Sequence, residues 1–459
     1  MNIVLRRFME RQPARFIAMG FLVIILVGAI LLTFPFANQT GESVRFVDAL
    51  LTATSATCVT GLSVVDTGSF WSVWGQLIIL FLIQIGGLGF MSFAALVSLL
   101  FHRSLGIRER LLLAESINTV GVDGILRMIR YMLYGTFLCE GVGAALLSIR
   151  FVPEYGFGKG IFYGIFHSVS AFCNAGFDIL GTTEHPFVSL GAYVMDPLVN
   201  IVVMLLIVFG GIGFLVWEDV FTQSNPKRWK LHTKLVFSVT GCLLLVGFLG
   251  YLVLEWSNPL TLGQFSGIEK LLPAAFMSVT TRTAGFSTFD LTGMGMPSKA
   301  LTMFLMFVGG SPGSTAGGIK TTVLGVVILT LYSVLQGRNY IHVFRRRLSS
   351  DVMLRSIAVI VLGICFVCAG TFLMVGFENR TGVISPATSN VLFEAISAFA
   401  TVGLSMSLTP LLSSSSLIVL CVLMFVGRVG IFTVLVSLMM KHGQTDCSYR
   451  YPEERLLIG

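Results

Sequence analysis

Charge is what this sequence has least of. Only 12% of its 459 residues are Asp, Glu, Lys or Arg, about half the roughly 25% of an ordinary soluble domain, so polar side chains are too few to cover a water-facing surface. That shortage excludes a disordered chain and a soluble multidomain enzyme. The eight cysteines form no zinc-type pairs and mostly lie within apolar stretches, where a free thiol behaves as a small hydrophobe. A secreted disulfide scaffold is therefore excluded, and no structural disulfide is expected. The net charge of +7 is not gathered on one face or tail, which leaves no footprint for a nucleic acid. No ATPase motif is found.

What is there is apolar: 55% of the residues are hydrophobic, including 38 Phe, and 49 more are Gly. A membrane-spanning helix needs about 20 mostly apolar residues. Eight segments qualify, at 16–36, 73–101, 131–149, 190–216, 233–256, 298–335, 356–377 and 415–440, the sixth interrupted. The first follows basic residues as a signal peptide does, but it is long enough to span and lacks a small-residue cleavage site, so it is expected to be retained. Basic residues precede it (Arg6, Arg7, Arg11, Arg15), recur in each even gap (Arg103 to Arg130, Lys227 to Lys234, Arg338 to Arg355) and follow the last span (Lys441, Arg450, Arg455). Positive charge marks the cytoplasmic side of short loops. Both termini are expected in the cytoplasm.

Each odd gap contains a further apolar stretch, too short to span, that ends in a small-residue turn. The turns read Val59-Thr60-Gly61-Leu62, Asn174-Ala175-Gly176-Phe177, Thr283-Ala284-Gly285-Phe286 and Thr401-Val402-Gly403-Leu404, with their glycines 115, 109 and 118 residues apart. A second glycine-rich marker follows each turn, beginning at Gly86, Gly210, Gly309 and Gly427. Two markers in one order, four times, indicate a repeated unit of span, re-entrant half-helix, turn and span. The expected divisions are 1–112, 113–229, 230–345 and 346–441, with a cytoplasmic tail at 442–459.

Close helix packing explains a single membrane glycine. Four glycines each ending a short outward stretch point elsewhere, because non-helical backbone at membrane depth is tolerated only where it is buried or lines a water-filled path. Rings of backbone carbonyls can replace the hydration shell of an ion, glycine reaches the angles that aim them, and each half-helix directs its partly negative C-terminal end at the same place. A cation is the expected cargo. Asp66, Asp178 and Asp290 follow three of the glycines and are read either as a cation-concentrating outer mouth or as solvated loop residues.

With these motifs, over almost the whole chain, the sequence resembles the Trk/Ktr/HKT superfamily of potassium transporters and looks most like the membrane subunit of bacterial Ktr systems. The resemblance implies an all-α integral membrane fold of eight transmembrane helices, arranged as four membrane-pore-membrane repeats around a central pore. It implies potassium, and no covalent cofactor, at a filter made by Val59, Thr60, Gly61, Asn174, Ala175, Gly176, Thr283, Ala284, Gly285, Thr401, Val402 and Gly403. Glycine at all four positions favours potassium, since serine at the first goes with sodium transport in plant members. One glycine per turn, fewer than in potassium channels, makes sodium leakage plausible. The implied partners are a second copy, giving a homodimer with one pore per protomer, and a cytosolic ring of nucleotide-binding RCK-type regulatory subunits (KtrA).

The sixth span is broken at Gly309, Gly310, Ser311, Pro312, Gly313, Ser314, Thr315, Ala316, Gly317, Gly318, Ile319 and Lys320, a composition no regular helix holds. A flexible loop is expected there, and the resemblance makes it an intramembrane gate. Its G-x-S-x-G match would suit a membrane serine hydrolase using Ser311, and residues 313–321 come close to a phosphate-binding loop. Both patterns need a preceding strand, so the chain is read as a transporter and not an enzyme. Arg428, a costly charge within the eighth span, is expected to face the pore and bond loop carbonyls, the alternative being a salt bridge to an acid such as Glu140. Arg282 and Glu394, both at turn depth, are expected to pair and brace the filter.

Overall fold

The computed structural model describes residues 13–89, 125–337, 342–344, 346–382, 386–431 and 433–434. Outside them lie the basic residues Arg6, Arg7, Arg11, Arg103, Arg108, Arg110, Arg338 and Arg345, the ends of the second and eighth expected spans, Lys441, and the 442–459 tail.

Among the described residues, four helices are long and apolar enough to cross a membrane. They are α1 (Pro13–Thr33), α4 (Ile125–Tyr155), α8 (Leu231–Glu255) and α12 (Ser350–Thr381). Each is followed by a shorter helix that packs against it and is buried along most of its length: α2 (Phe46–Thr57), α5 (Phe157–Phe172), α9 (Leu271–Thr280) and α13 (Thr388–Ala400). After a turn the chain enters α3 (Val73–Leu88), α6 (Pro197–Ile212), α10 (Met296–Phe307) or α14 (Ser414–Val429). Two continuations follow, α7 (Phe214–Thr222) after α6 and α11 (Thr321–Leu335) after α10, and a single helical turn, Thr67–Phe70, lies between α2 and α3. A two-residue antiparallel pairing, His342–Val343 with Arg346–Arg347, precedes α12.

One packing device recurs four times. Gly28, Gly143, Gly247 and Gly370 on the long helices face Leu82, Leu206, Leu305 and Leu423 on the later ones. A Cβ on any of these glycines would sit 2.7 to 3.0 Å from the leucine methyl group. The missing side chain is what lets the helices approach.

The helices that follow the first, second and fourth turns, α3, α6 and α14, correct the expectation of long uninterrupted spans. The 190–216 span begins only at Pro197, capped by Asp196, and ends at Ile212, where the chain bends by 90° into α7. Gly89, Gly213 and Gly430 cap α3, α6 and α14 with φ of 81°, 101° and 96°. Those left-handed angles stop a helix, so the glycine marker ends all three. Hydropathy could not register this, because glycine leaves an apolar run looking continuous.

Candidate functional site

The four turns share an unusual backbone. Val59, Asn174, Thr283 and Thr401 have φ of 58°, 60°, 71° and 52°, and the glycine two residues later is also left-handed at 98°, 69°, 81° and 92°. β-branched residues resist this region. Sequence reasoning assigned the conformation to the glycines alone and missed its non-glycine half. Such alternation turns successive peptide groups the same way. Their amides point back into the short helices, with Thr60, Ala175 and Val402 donating to the carbonyls of Ser55, Ser170 and Ser397 at 2.8, 2.7 and 2.8 Å, and Ala284 to that of Thr280 at 2.9 Å.

The hydroxyls of these four residues complete the brace. Ser55 and Ser397 accept from the Gly61 and Gly403 amides at 3.0 and 3.1 Å, whereas Ser170 and Thr280 donate to the Phe177 and Phe286 carbonyls at 2.7 and 2.6 Å. A hydroxyl five or six residues before each turn glycine was the sequence signal that could have revealed this.

The turns close into a ring. A Cβ on Gly61 would lie 2.6 Å from the Ala175 oxygen, and one on Gly176 the same distance from the Ala284 oxygen. One on Gly285 would be 3.3 Å from the Gly403 Cα, and one on Gly403 3.0 Å from the Gly61 Cα. Oxygens of the residues before the glycines thus crowd one central space. On one side of the ring is a cavity of about 450 Å³ walled by the four glycines and by Asp66, Asp178 and Asp290. On the other is one of about 280 Å³ walled by Gly87 to Gly89, Gly313, Ser314, Lys320 and Arg428. Carboxylates line the first and cations the second.

The three aspartates wall this cavity and are also held by nearby donors, Asp66 being buried. Asp66 accepts from the Ser69 amide and hydroxyl and the Phe187 amide at 2.7 to 2.8 Å, and Asp290 caps Thr292. Asp178 accepts from the Leu180 amide at 3.3 Å. Burial, with Asp66 adding to it, pushes the Asp178 carboxyl up to about 7.

The 308–320 loop is irregular, as its composition requires, but it is fastened and not free. Val308 bridges Ile319 at its root. The Ser311 and Thr315 amides donate to the Gly211 and Gly210 carbonyls, the Phe214 amide to Gly313, and the Thr315 hydroxyl to Phe172, at 2.8 to 3.3 Å. Gly317 and Gly318 lie against Thr401 and Ala400, so the loop crosses from the second turn to the fourth. Lys320 reaches back to the Ala316 carbonyl at 2.8 Å. The Ser311 hydroxyl sits 3.1 Å from that of Thr321, with no histidine bonded to it among the described residues.

Arg428 reaches the loop, donating to the carbonyls of Thr315, Gly86 and Gly87. The alternative bridge to Glu140 does not form, because Glu140 accepts from Gln84 at 3.1 and 3.2 Å. The expected Arg282–Glu394 pair is also absent. Glu394 instead accepts from Ser405, Met406 and Thr409 at 2.6 to 2.9 Å, holding the chain beyond the fourth turn, while Arg282 donates to the Gly309 carbonyl at 3.0 Å. Each charge turns to nearby backbone or hydroxyl partners instead of to the other, which satisfies Glu394 fully and Arg282 through one terminal nitrogen. Glu394→Ala strands those donors and should lower unfolding stability by about 2 to 3 kcal/mol, with Glu394→Gln losing less. Thermal denaturation in detergent measures both.

The cation transport protein family TrkH matches residues 10–449. The chain belongs to that family. It is 41% identical to the potassium/sodium uptake protein NtpJ of Enterococcus hirae, over all of both chains. It is 38% identical to the Ktr system potassium uptake protein B of Bacillus subtilis, over 99% of this chain and 98% of that one. The crystal structure of the potassium transporter TrkH from Vibrio parahaemolyticus shares the fold, with a TM-score of 0.69 over 92% of this chain and 85% of that one at 18% identity. As a member of the TrkH family, with four long apolar helices among its described residues, the chain is a multi-pass membrane protein.

Proposed function

We propose that the chain takes up potassium across the plasma membrane through the ring of turns, which acts as a carbonyl-lined filter. The observation that carries this reading is the closed circle of four left-handed turns with oxygens at its centre. The names of the relatives, potassium uptake proteins, favour the same cargo. The sequence quarters 1–112, 113–229, 230–345 and 346–441 are then four repeats of an eight-span pore, with the broken outgoing helices as second spans and both termini cytoplasmic.

A potassium ion enters the acidic outer cavity, exchanges water for turn carbonyls, and meets the 308–320 loop with Lys320 and Arg428 below. The loop is the gate: closed, it fills the path and presents two cations. Inward movement is favoured by about 2.3 kcal/mol per 100 mV of inside-negative potential, enough for roughly fifty-fold accumulation. The Ktr system names of relatives support a regulatory subunit, which we take to be the RCK-type ring acting on a homodimer.

Growth of a potassium-uptake-deficient cell on low potassium tests the reading. Rescue is expected, and its absence with the protein in the membrane overturns it. The name of NtpJ and the single glycine per turn favour a second reading, combined sodium and potassium transport, which flux measured with and without sodium distinguishes.

Asp178 adds a pH dependence. A carboxyl pushed up to about 7 is neutral below that pH and charged above it, and a charged mouth concentrates cations. Rubidium uptake at low external potassium should therefore rise between pH 6 and 8. Asp178→Asn should be flat across that range, at the low-pH level.

A further inference from the structure

Arg282 uses one half of its guanidinium on the Gly309 carbonyl at 3.0 Å, while the other terminal nitrogen has no partner among the described residues. The residue is 93% buried (7% exposed), so this is a desolvated charged donor without an acceptor. Nearby, on α8, the buried hydroxyl of Thr240 is likewise unpartnered. Both residues line one small cavity of about 20 Å³, together with Gly211, Gly310 and apolar side chains from α6, α8 and α9. A cavity holds a water when it offers at least roughly 10 to 15 Å³ and several polar partners. Two residues with orphaned buried polar atoms lining one space of that size make a site for a small hydrogen-bonding occupant.

We propose that this cavity holds a single ordered water that accepts from Arg282 Nη1 and bonds the Thr240 hydroxyl, making Arg282 the positioning residue of the gate loop. The inference rests on the gate reading above. Arg282 sits between the third turn and the loop's root at Gly309, and the bridging water ties both to α8. With the water in place the guanidinium is held at both ends, and the loop cannot lift without breaking the bond to Gly309. A buried donor left without its acceptor is costly, so the site biases the loop toward the closed arrangement. Halides are the competing occupants, since they also accept hydrogen bonds.

The test has two arms on the full-length protein. In a structure of the protein in bromide buffer, a solvent peak in the cavity without anomalous signal is expected; an anomalous peak or an empty cavity overturns the proposal. In flux measurements, Thr240→Val removes the hydroxyl at nearly constant volume and should raise rubidium uptake about fivefold, which converts to about 1 kcal/mol at 1.4 kcal/mol per tenfold. Thr240→Ser keeps the hydroxyl and should match the unsubstituted protein, with the sodium-to-potassium ratio unchanged in both. Equal behaviour of Val and Ser variants refutes the bridge. Failure of the unsubstituted protein to transport potassium refutes instead the functional reading beneath it.

Discussion

Arg428→Ala should raise potassium flux about tenfold or more, and Arg428→Gln by less. The guanidinium bonds Thr315 in the middle of the loop and, on its other arm, Gly86 and Gly87 at the end of α3. It therefore clasps the loop to the end of α3, more than 220 residues earlier in the chain. Hydrogen bonds from a charged donor contribute about 1.5 to 3 kcal/mol, and every 1.4 kcal/mol is tenfold in the closed-to-open ratio. Removing the charge also lowers the electrostatic barrier in the inner cavity, which Lys320 shares. Glutamine can keep one carbonyl contact, hence the smaller effect. Rubidium influx normalised to membrane-inserted protein measures both, and unchanged or reduced flux in a folded variant counts against the gate role.

Gly176→Ala should have the opposite sign and a larger size, a loss of potassium uptake of about a hundredfold or more. The added methyl carbon would lie 2.6 Å from the Ala284 oxygen and 2.9 Å from the Gly285 Cα, backbone atoms that cannot swing aside. At φ of 69° the alanine also carries left-handed strain of roughly 1 to 2 kcal/mol, but the collision dominates. Relieving it displaces the third turn from the second and breaks the circle of oxygens. Gly141→Ala and Gly241→Ala are the controls, since a Cβ at either meets nothing within 4 Å. They should transport normally, so a defect confined to Gly176→Ala separates ring geometry from general sensitivity to added methyl groups.

How much of this could be read in advance depended on whether residue identity or backbone angle carried the information. The order of long stretch, short stretch, turn and glycine marker was legible, because Gly61, Gly176, Gly285 and Gly403 recur at nearly even spacing. The contact between Arg428 and the broken loop was legible too, since a lone charge in an apolar span needs acceptors and the loop offers free carbonyls. The helix stops at Gly89, Gly213 and Gly430 were not, because an apolar run with a left-handed residue has the same hydropathy as one without. Nor were the left-handed angles of Val59 and Thr401, which the hydroxyl braces and neighbouring turns impose against intrinsic preference. The supposed Arg282–Glu394 pair failed for a related reason: proximity inferred from depth says nothing about which local carbonyl or hydroxyl is nearer.

The notches at Gly28, Gly143, Gly247 and Gly370 bear on how such a protein opens. With a leucine seated in each, every long helix is keyed to the outgoing helix that follows it in sequence, and the two have no slack to part. On the gate reading proposed above, the strap at 308–320 shifts while these keyed pairs keep their spacing.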